Sequence, residues 1–571
     1  MNLTEQHLPL LQRAAQALKE RTYYSPYPEN PKAYPAEEAQ AGEAAFHAQM
    51  NQDFTRLLQG GVQALPLRFE GEEISPYLQS GLGIRYPVFA DKVLVQLAGQ
   101  GREAWMAAGA ELRAALLCES LERMRSSFAE IAHATMHTTG QSYMMSFQAS
   151  GPHAADRALE AVAMAWQEQT RYDSACSWVK PMGKIAVELH KTWKPVGKGI
   201  ALVVGCSTFP TWNSLPGIYA SLAVGNPVLV KPHPKAVYPI AVVVAILQEL
   251  LQEHGFNPNL CQLACDSTQH PLTKELATHP DVKTIDYTGN SEFGQWLEAQ
   301  SLFGKTVFTE KAGVNPVLVH SAPDLAAVWD NLAFSVSLYA GQMCTAPQNI
   351  FLPLAGITDA QGQHHTYQDL VQGLAGALRK IKDHPQMGPG VLATVQNSRT
   401  LERLKSLQDG AGEALLLASE PVAHEAFPHA LSYSPLLIQA EPGRSDWYGA
   451  EQFGPIAFVV PYEDPEQALQ IMLEQIHAHG ALSCGIYCTD PVWSNHLCDR
   501  LALSFVPVSL NLTGPIYLNQ HAAFSDFHGT GGNAAGTASF CDANFVNQRM
   551  VWVGRREMVG VHTLPPPPAK A

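Results

Sequence analysis

Between residues 197 and 290 the chain alternates short, β-branched apolar runs with helical ones. "GKGIALVVGC" reads as a buried strand, "LPGIYASLAVG" as a helix stopped by Gly225, and "NPVLVKP" as a second strand. "AVYPIAVVVAILQELLQEHG" follows as a helix, then "NLCQLAC" and "VKTIDYTG" as further strands. Strands this apolar need cover on both faces. Interleaved helices supply it, which predicts an α/β fold with a parallel, doubly wound sheet. Such sheets bind ligands at the carboxyl ends of their strands.

At 571 residues the chain exceeds one core, and two or three domains are expected. Residues 1–60 are polar and proline-dotted and read as a wrapping segment with one leading helix. From Pro87 to about Thr170 the apolar spacing is helical, with a stop at Gly140. A second α/β stretch occupies about 313–512, in "NPVLVHS", "QNIFLPL", "PIAFVVPY" and "ALSCGIYC". The tail offers one more strand, "RMVWVG", before a proline-rich end at 563–571 that reads as disordered.

The net charge of −15 argues against a nucleic-acid partner or an anionic membrane surface. The ten cysteines are scattered, without C-x-x-C, so neither a zinc site nor a disulfide framework is expected. The first residues lack a basic stretch leading into an apolar one, and no apolar run approaches a membrane span. The expectation is a cytoplasmic protein with reduced thiols. His133 and His137 are four apart on a helix, but no third metal ligand accompanies them.

Several residues could carry chemistry. Cys344 sits in "LYAGQMCTAPQ" among small and polar neighbours, unlike a thiol inside an apolar run. Glu310 ends a short strand in "VFTEKAG", where a partly desolvated carboxylate can act as a general base. Lys231, with His233, ends a strand at the expected ligand edge. Gly289, Asn290 and Gly294 form a glycine turn at a strand–helix junction that suits a pyrophosphate. Glu451 and Phe453 precede another strand. No G-x-G-x-x-G or G-x-x-x-x-G-K-[ST] loop is present.

In order and spacing these elements resemble the aldehyde dehydrogenase superfamily. The resemblance rests on "KPHP" at 231–234, "TGNSEFG" at 288–294, Glu310-Lys311-Ala312-Gly313, Gly341-Gln342-Met343-Cys344 and Glu451-Gln452-Phe453-Gly454-Pro455. Glu310 precedes Cys344 by 34 residues, a gap similar to the family's. "YYSPYPENP", "CSTFPTWN" and "FSDFHGTGGN" further resemble the phenylacetic acid degradation subgroup, PaaN.

The resemblance implies an aldehyde dehydrogenase-like fold. A Rossmann-like nucleotide-binding domain would span 1–178 and 199–312, and an α/β catalytic domain 313–512. A small β oligomerisation element would join 179–198 to 535–562. It implies that Cys344 attacks an aldehyde to give a thiohemiacetal, that oxidation yields a thioester, and that Glu310 activates water to release the acid. Lys231 and Glu451 would hold the two riboses, Gly289 and Gly294 the pyrophosphate turn, and Phe453 the nicotinamide surroundings. The substrate would be an aldehyde from aerobic phenylacetate breakdown, with the open-chain CoA-linked semialdehyde formed after ring opening as one candidate. Any ring hydrolysis would fall to a separate partner, and a homodimer or homotetramer is implied.

Two departures stand out. The family's oxyanion-binding asparagine falls on Thr208 by a gapless count from Lys231, and Asn213 lies five residues on. Either supplies the donor, or activity is low. Pro234 stands where NAD-preferring relatives carry a glutamate, so with Lys231 and His233 the expected cofactor is NADP, with NAD as the other choice. Two other functions stay open: a CoA-acylating aldehyde dehydrogenase, and a catalytically weak scaffold or binding subunit.

Overall fold

The computed structural model describes residues 2–60, 64–442 and 445–565. Three sheets organise it. The first has five parallel strands in the order Thr306–Glu310, Val282–Thr288, Ile200–Val204, Val228–Lys231, Cys261–Leu263. Every residue of Ile200–Val204 and Val228–Lys231 is buried, as the apolar runs require. The chain lays Ile200–Val204 in the centre, adds two strands on one side, then returns to the other. Strand order therefore reverses beside Ile200–Val204, which opens a crevice at the carboxyl ends there.

Helices Pro210–Ala223 and Tyr238–Glu253 pack between this sheet and the N-terminal helices, so nearly every residue of both is buried. The helical run expected after Pro87 is divided into Asp91–Gln100, Arg102–Ala107, Gly109–Arg125 and Phe128–Thr139. The last ends where Gly140 turns left-handed, with φ 87°. His137 of that helix stacks on Phe46 and hydrogen-bonds Ser75 Oγ at 2.9 Å, which accounts for it as a core histidine.

The second sheet has seven strands: Leu415–Leu417, Leu436–Gln439, Ile456–Tyr462, Asn349–Pro353, Val317–Val319, Cys484–Tyr487 and Val508–Leu510. All pair in parallel except Leu415–Leu417. The third is antiparallel, with Ile185–Gly197 between Ala175–Met182 and Met550–Thr563. The tail strand continues to Thr563, which pairs with Ile185, and Leu564 N–H still donates to Lys184 at 2.9 Å. Residues 566–571 of the expected disordered end lie outside the described residues. Among the described residues no helix is long and apolar enough to cross a membrane.

The tail is fastened to the first sheet by one buried ion pair. Arg549, fully buried, donates to Asp286 Oδ2 at 2.7 Å and, through its other nitrogen, to Oδ1 at 2.5 Å. The same guanidinium bonds Ser221 Oγ and the Phe545 carbonyl, each at 2.8 Å, and lies over the Phe308 and Phe545 rings. A buried charge left without its partner is costly. Arg549→Met should therefore lower the unfolding free energy by about 3–5 kcal/mol. The double variant Arg549→Met/Asp286→Asn should lose less. Urea unfolding of the three proteins checks both expectations.

Candidate active site

Cys344 follows helix Leu325–Ser337 through a sharp turn in which Tyr339, Ala340 and Gly341 take φ of 54°, 50° and 62°. Gly341 has no substitute here, since a Cβ would sit 2.2 Å from the Gly454 carbonyl oxygen. The close approach joins the cysteine loop to the Glu451–Pro455 segment. Gln342 is fully buried. Its Nε2 donates to the carbonyls of Tyr339 (3.2 Å) and Thr394 (3.0 Å), and its Oε1 accepts from Gln396 N–H at 3.0 Å. Beyond the cysteine, Asn315 Nδ2 donates to the carbonyls of Cys344 (2.7 Å) and Ala346 (3.0 Å). Thr345 Oγ1 bonds the Asn519 carbonyl at 2.9 Å. The backbone is thus held on both sides of the thiol, which limits how far Sγ can wander. The thiol faces a cavity of about 910 Å³.

Glu310 ends strand Thr306–Glu310 and is buried. Its Oε2 accepts from Asn213 Nδ2 at 3.1 Å. Its Oε1 lies 3.1 Å from Nε2 of His528, and that nitrogen is 3.6 Å from Cys344 Sγ. The ion-pair distance is short, yet Oε1 has no well-aligned hydrogen bond. Burial alone would raise the Glu310 carboxyl. The facing His528, when protonated, and hydrogen bonds from Cys344 and Asn213 outweigh it and hold the carboxyl below its ordinary value. Burial, with the Glu310 charge, pushes the Cys344 thiol well up. The resting arrangement is a protonated thiol against an ionised carboxylate.

Asn213 and Thr208 part company here. The chain turns at Phe209 and begins helix Pro210–Ala223, and Asn213 in its first turn points back to Glu310 and the cavity. The Thr208 carbonyl accepts from Gln141 Nε2 at 2.7 Å, and Thr208 is not among the residues lining that cavity. A gapless count from Lys231 misses this because position along a strand–turn–helix says little about direction.

At the carboxyl edge of the first sheet, Lys231 Nζ pairs with Asp266 Oδ1 at 2.6 Å, and both side chains are buried. This corrects the ground on which NADP was expected: Pro234 removes one carboxylate, but Asp266, reached from the next strand, supplies another. His233 is no compensating cation, because burial and the nearby Lys231 and Lys235 push it down to about 4. The glycine turn is also less open than expected. Gly289 N–H donates to the Glu310 carbonyl at 3.1 Å, and Gly294 N–H to the Asn290 carbonyl at 3.1 Å. Asn290 caps helix Ser291–Glu298 through its side chain, which accepts from Phe293 N–H at 2.9 Å. Gly294 is also needed for packing, since a Cβ there would meet the Lys311 side chain at 2.6 Å. Glu451 takes a hydrogen bond from Gly313 N–H, and burial pushes it up to about 7. The Phe453 carbonyl accepts from Arg403 at 2.7 Å.

His528 is the residue that sequence reasoning missed. It stands in "FSDFHGTGGN", 184 residues from Cys344, and nothing local links the two. Among the described residues, Glu310, Cys344 and His528 form the single group of three potential metal ligands.

The Asn213 amide donates to Glu310 and lines the same cavity as Cys344. Asn213→Ala should lower turnover on the order of a hundredfold, while Thr208→Ala should leave it nearly unchanged. Steady-state rates of the two variants decide between them.

Comparisons with known proteins agree with this geometry. The Aldehyde dehydrogenase family profile matches residues 91–534. The crystal structure of an NAD-dependent aldehyde dehydrogenase from Burkholderia multivorans is 40% identical, with TM-score 0.93, covering 98% of this chain and 99% of that one. Aldehyde dehydrogenase LUC3 of Fusarium sp is 25% identical over 62% of this chain and 71% of its own length. The sulfoacetaldehyde dehydrogenase of Neptuniibacter caesariensis is 26% identical over 60% and 68%. With its Rossmann-like sheet, α/β catalytic sheet and small β sheet, this chain belongs to the aldehyde dehydrogenase family, as an oxidoreductase of the NAD(P)-dependent type.

Proposed function

We propose that the protein oxidises a bulky, largely apolar aldehyde to its acid, with Cys344 as nucleophile. The observation that carries this reading is that the Cys344 thiol and Asn213 both line the 910 Å³ cavity, with the Glu310 carboxylate behind them, bonded to the Asn213 amide and close to the thiol. Thiolate attack on the carbonyl carbon moves the C=O pair onto oxygen, where the Asn213 Nδ2–H would donate. A nicotinamide cofactor, when bound, supplies the hydride acceptor. Glu310, ionised and buried, then takes a proton from the water that attacks the thioester.

The cavity walls favour bulk. Met144, Met145, Phe209, Trp212, Phe334 and Leu338 contribute apolar surface, and Tyr23 and Tyr24 reach it from the N-terminal segment. That segment is also where the PaaN-like sequence lies. Together these support an aldehyde from aromatic catabolism, of the phenylacetate type. The size would also admit a CoA-linked semialdehyde, although Glu29 and Asp156 on the same wall are poor neighbours for phosphates. Release by CoA in place of water is the second reading, supported by the same volume. The scaffold reading has less support, since the chain belongs to a family of NAD(P)-dependent oxidoreductases and Asn213, unlike Thr208, lines the cavity.

For the cofactor we favour NAD. The residues at the sheet edge fit a dinucleotide: Lys231 and Asp266 at a carboxyl end, and Glu451 next to Gly313. Asp266 would accept from ribose hydroxyls and repel a 2′-phosphate. Glu451 would accept from the other ribose only when ionised. Its raised value means the anion is lost as pH falls through about 7. NAD affinity, read by fluorescence titration, should therefore weaken on that descent, and Glu451→Gln should flatten the dependence.

The three-stranded sheet exposes Val179, Met182, Val553, Met558 and Val561, and both outer strands keep free edges. Pairing of copies through it would cover them, as a homodimer or homotetramer. The deciding experiment follows nicotinamide reduction with aliphatic and aromatic aldehydes of graded size, with NAD and NADP in parallel, and identifies the product. Turnover that rises with apolar bulk, prefers NAD and vanishes in Cys344→Ala is expected. Turnover that persists in Cys344→Ala sinks the reading, and acyl-CoA formation favours the second one. Light scattering of the same preparation should give a mass above one chain.

A further inference from the structure

Cys344 has a second neighbour suited to take its proton. His528 Nε2 lies 3.6 Å from Sγ and 3.1 Å from Glu310 Oε1, so one ring nitrogen faces both nucleophile and carboxylate. The ring is fixed in place. Trp212 meets it edge-on at 4.6 Å between centroids, Phe540 stacks on it at 5.8 Å, and the residue is buried. Its other nitrogen, Nδ1, lies 3.2 Å from Nδ1 of His521.

The His–His contact admits a tautomer of His528 with Nε2 free to accept. Two nitrogens at that distance can share only one proton. Burial, together with His528 and Arg157, holds His521 far below its ordinary value, so His521 is neutral. Its Nδ1 can then accept or donate; where it accepts, the proton lies on His528 Nδ1 and the Nε2 lone pair faces the thiol. The titratable and charged groups around the ring are Glu310 and Cys344 in front, His521 behind, Arg157 over Trp212 and Phe540, and Asp526 on the same loop.

We propose that His528 is a further catalytic residue, the immediate acceptor of the Cys344 thiol proton. The S–H bond breaks with its electron pair left on sulfur, and a new N–H bond forms at Nε2. The resulting imidazolium is held between thiolate and Glu310 carboxylate, and the thiolate attacks the carbonyl. Glu310 is thereby left ionised and free for the later water step. The proposal rests on Cys344 being the nucleophile, but its test needs neither aldehyde nor cofactor.

The test is the pH dependence of Cys344 alkylation by iodoacetamide in the full chain, followed by mass at that residue. His528→Gln should slow alkylation at neutral pH at least about tenfold and move the profile to higher pH. His521→Phe, which removes the acceptor facing His528 Nδ1, should give an intermediate shift. His528→Ala should regain rate on addition of imidazole, an effect that mere misfolding cannot give. Melting curves and circular dichroism check that each variant is folded. An unchanged profile in His528→Gln overturns the proposal. So does collapse in Glu310→Gln while His528→Gln stays like the parent, which would make Glu310 the direct acceptor. A wild-type Cys344 inert at neutral pH overturns it too. If alkylation behaves as expected but Cys344→Ala keeps full aldehyde turnover, the dehydrogenase reading fails and the His528–Cys344 couple stands.

Discussion

The Arg549–Asp286 ion pair fastens the C-terminal segment of this protein to its first sheet. It joins the last strand of the chain to the central part of the first sheet, with Arg549 wholly buried. The chain leading into it runs past Glu310. Gly536 bridges to Glu310, and the Ala535 carbonyl accepts from Lys311 N–H at 2.5 Å. Just upstream lies the loop that delivers His528. Anchoring the tail therefore also positions one wall of the site, and a contact made for assembly serves chemistry as well.

The electrostatics of the site follow from shared burial. The carboxylate is buried and the thiol partly so at the cavity wall, and burial by itself would neutralise the acid and keep the thiol protonated. The Asn213 donor and, when it is protonated, the facing His528 favour the ionised form of Glu310 despite that burial. The thiol has no comparable help, so it needs a proton acceptor within reach. On the other side, the Lys231–Asp266 pair and the neutral His233 give the nucleotide edge less positive charge than the "KPHP" letters suggest.

Much of the fold could be read from the chain. A period of strand and helix with apolar strands leaves few arrangements other than a parallel sheet with helices on both faces, and Ile200–Val204 and Val228–Lys231 take their places accordingly. The cysteine turn was also readable in part, because Gly341 and the small residues around Cys344 signal a tight bend. The breaks in the helices between Asp91 and Thr139 were harder, since apolar spacing carries across a short interruption.

What the sequence alone determined was composition and order: which residue types occur, which strands are apolar, and which motifs follow one another. That suffices for the class of fold and for naming Cys344 and Glu310, since both lie beside strand or turn signals a few residues long. What only the tertiary structure decided was proximity. That Asn213 and not Thr208 reaches Glu310 depends on the direction in which a turn releases a helix. Asp266 against Lys231 depends on the pairing of neighbouring strands, and His528 at the thiol depends on a loop returning from the far end of the chain. Hydrogen bonds and ion pairs act over a few ångströms in space and are indifferent to sequence distance, so no local pattern records them.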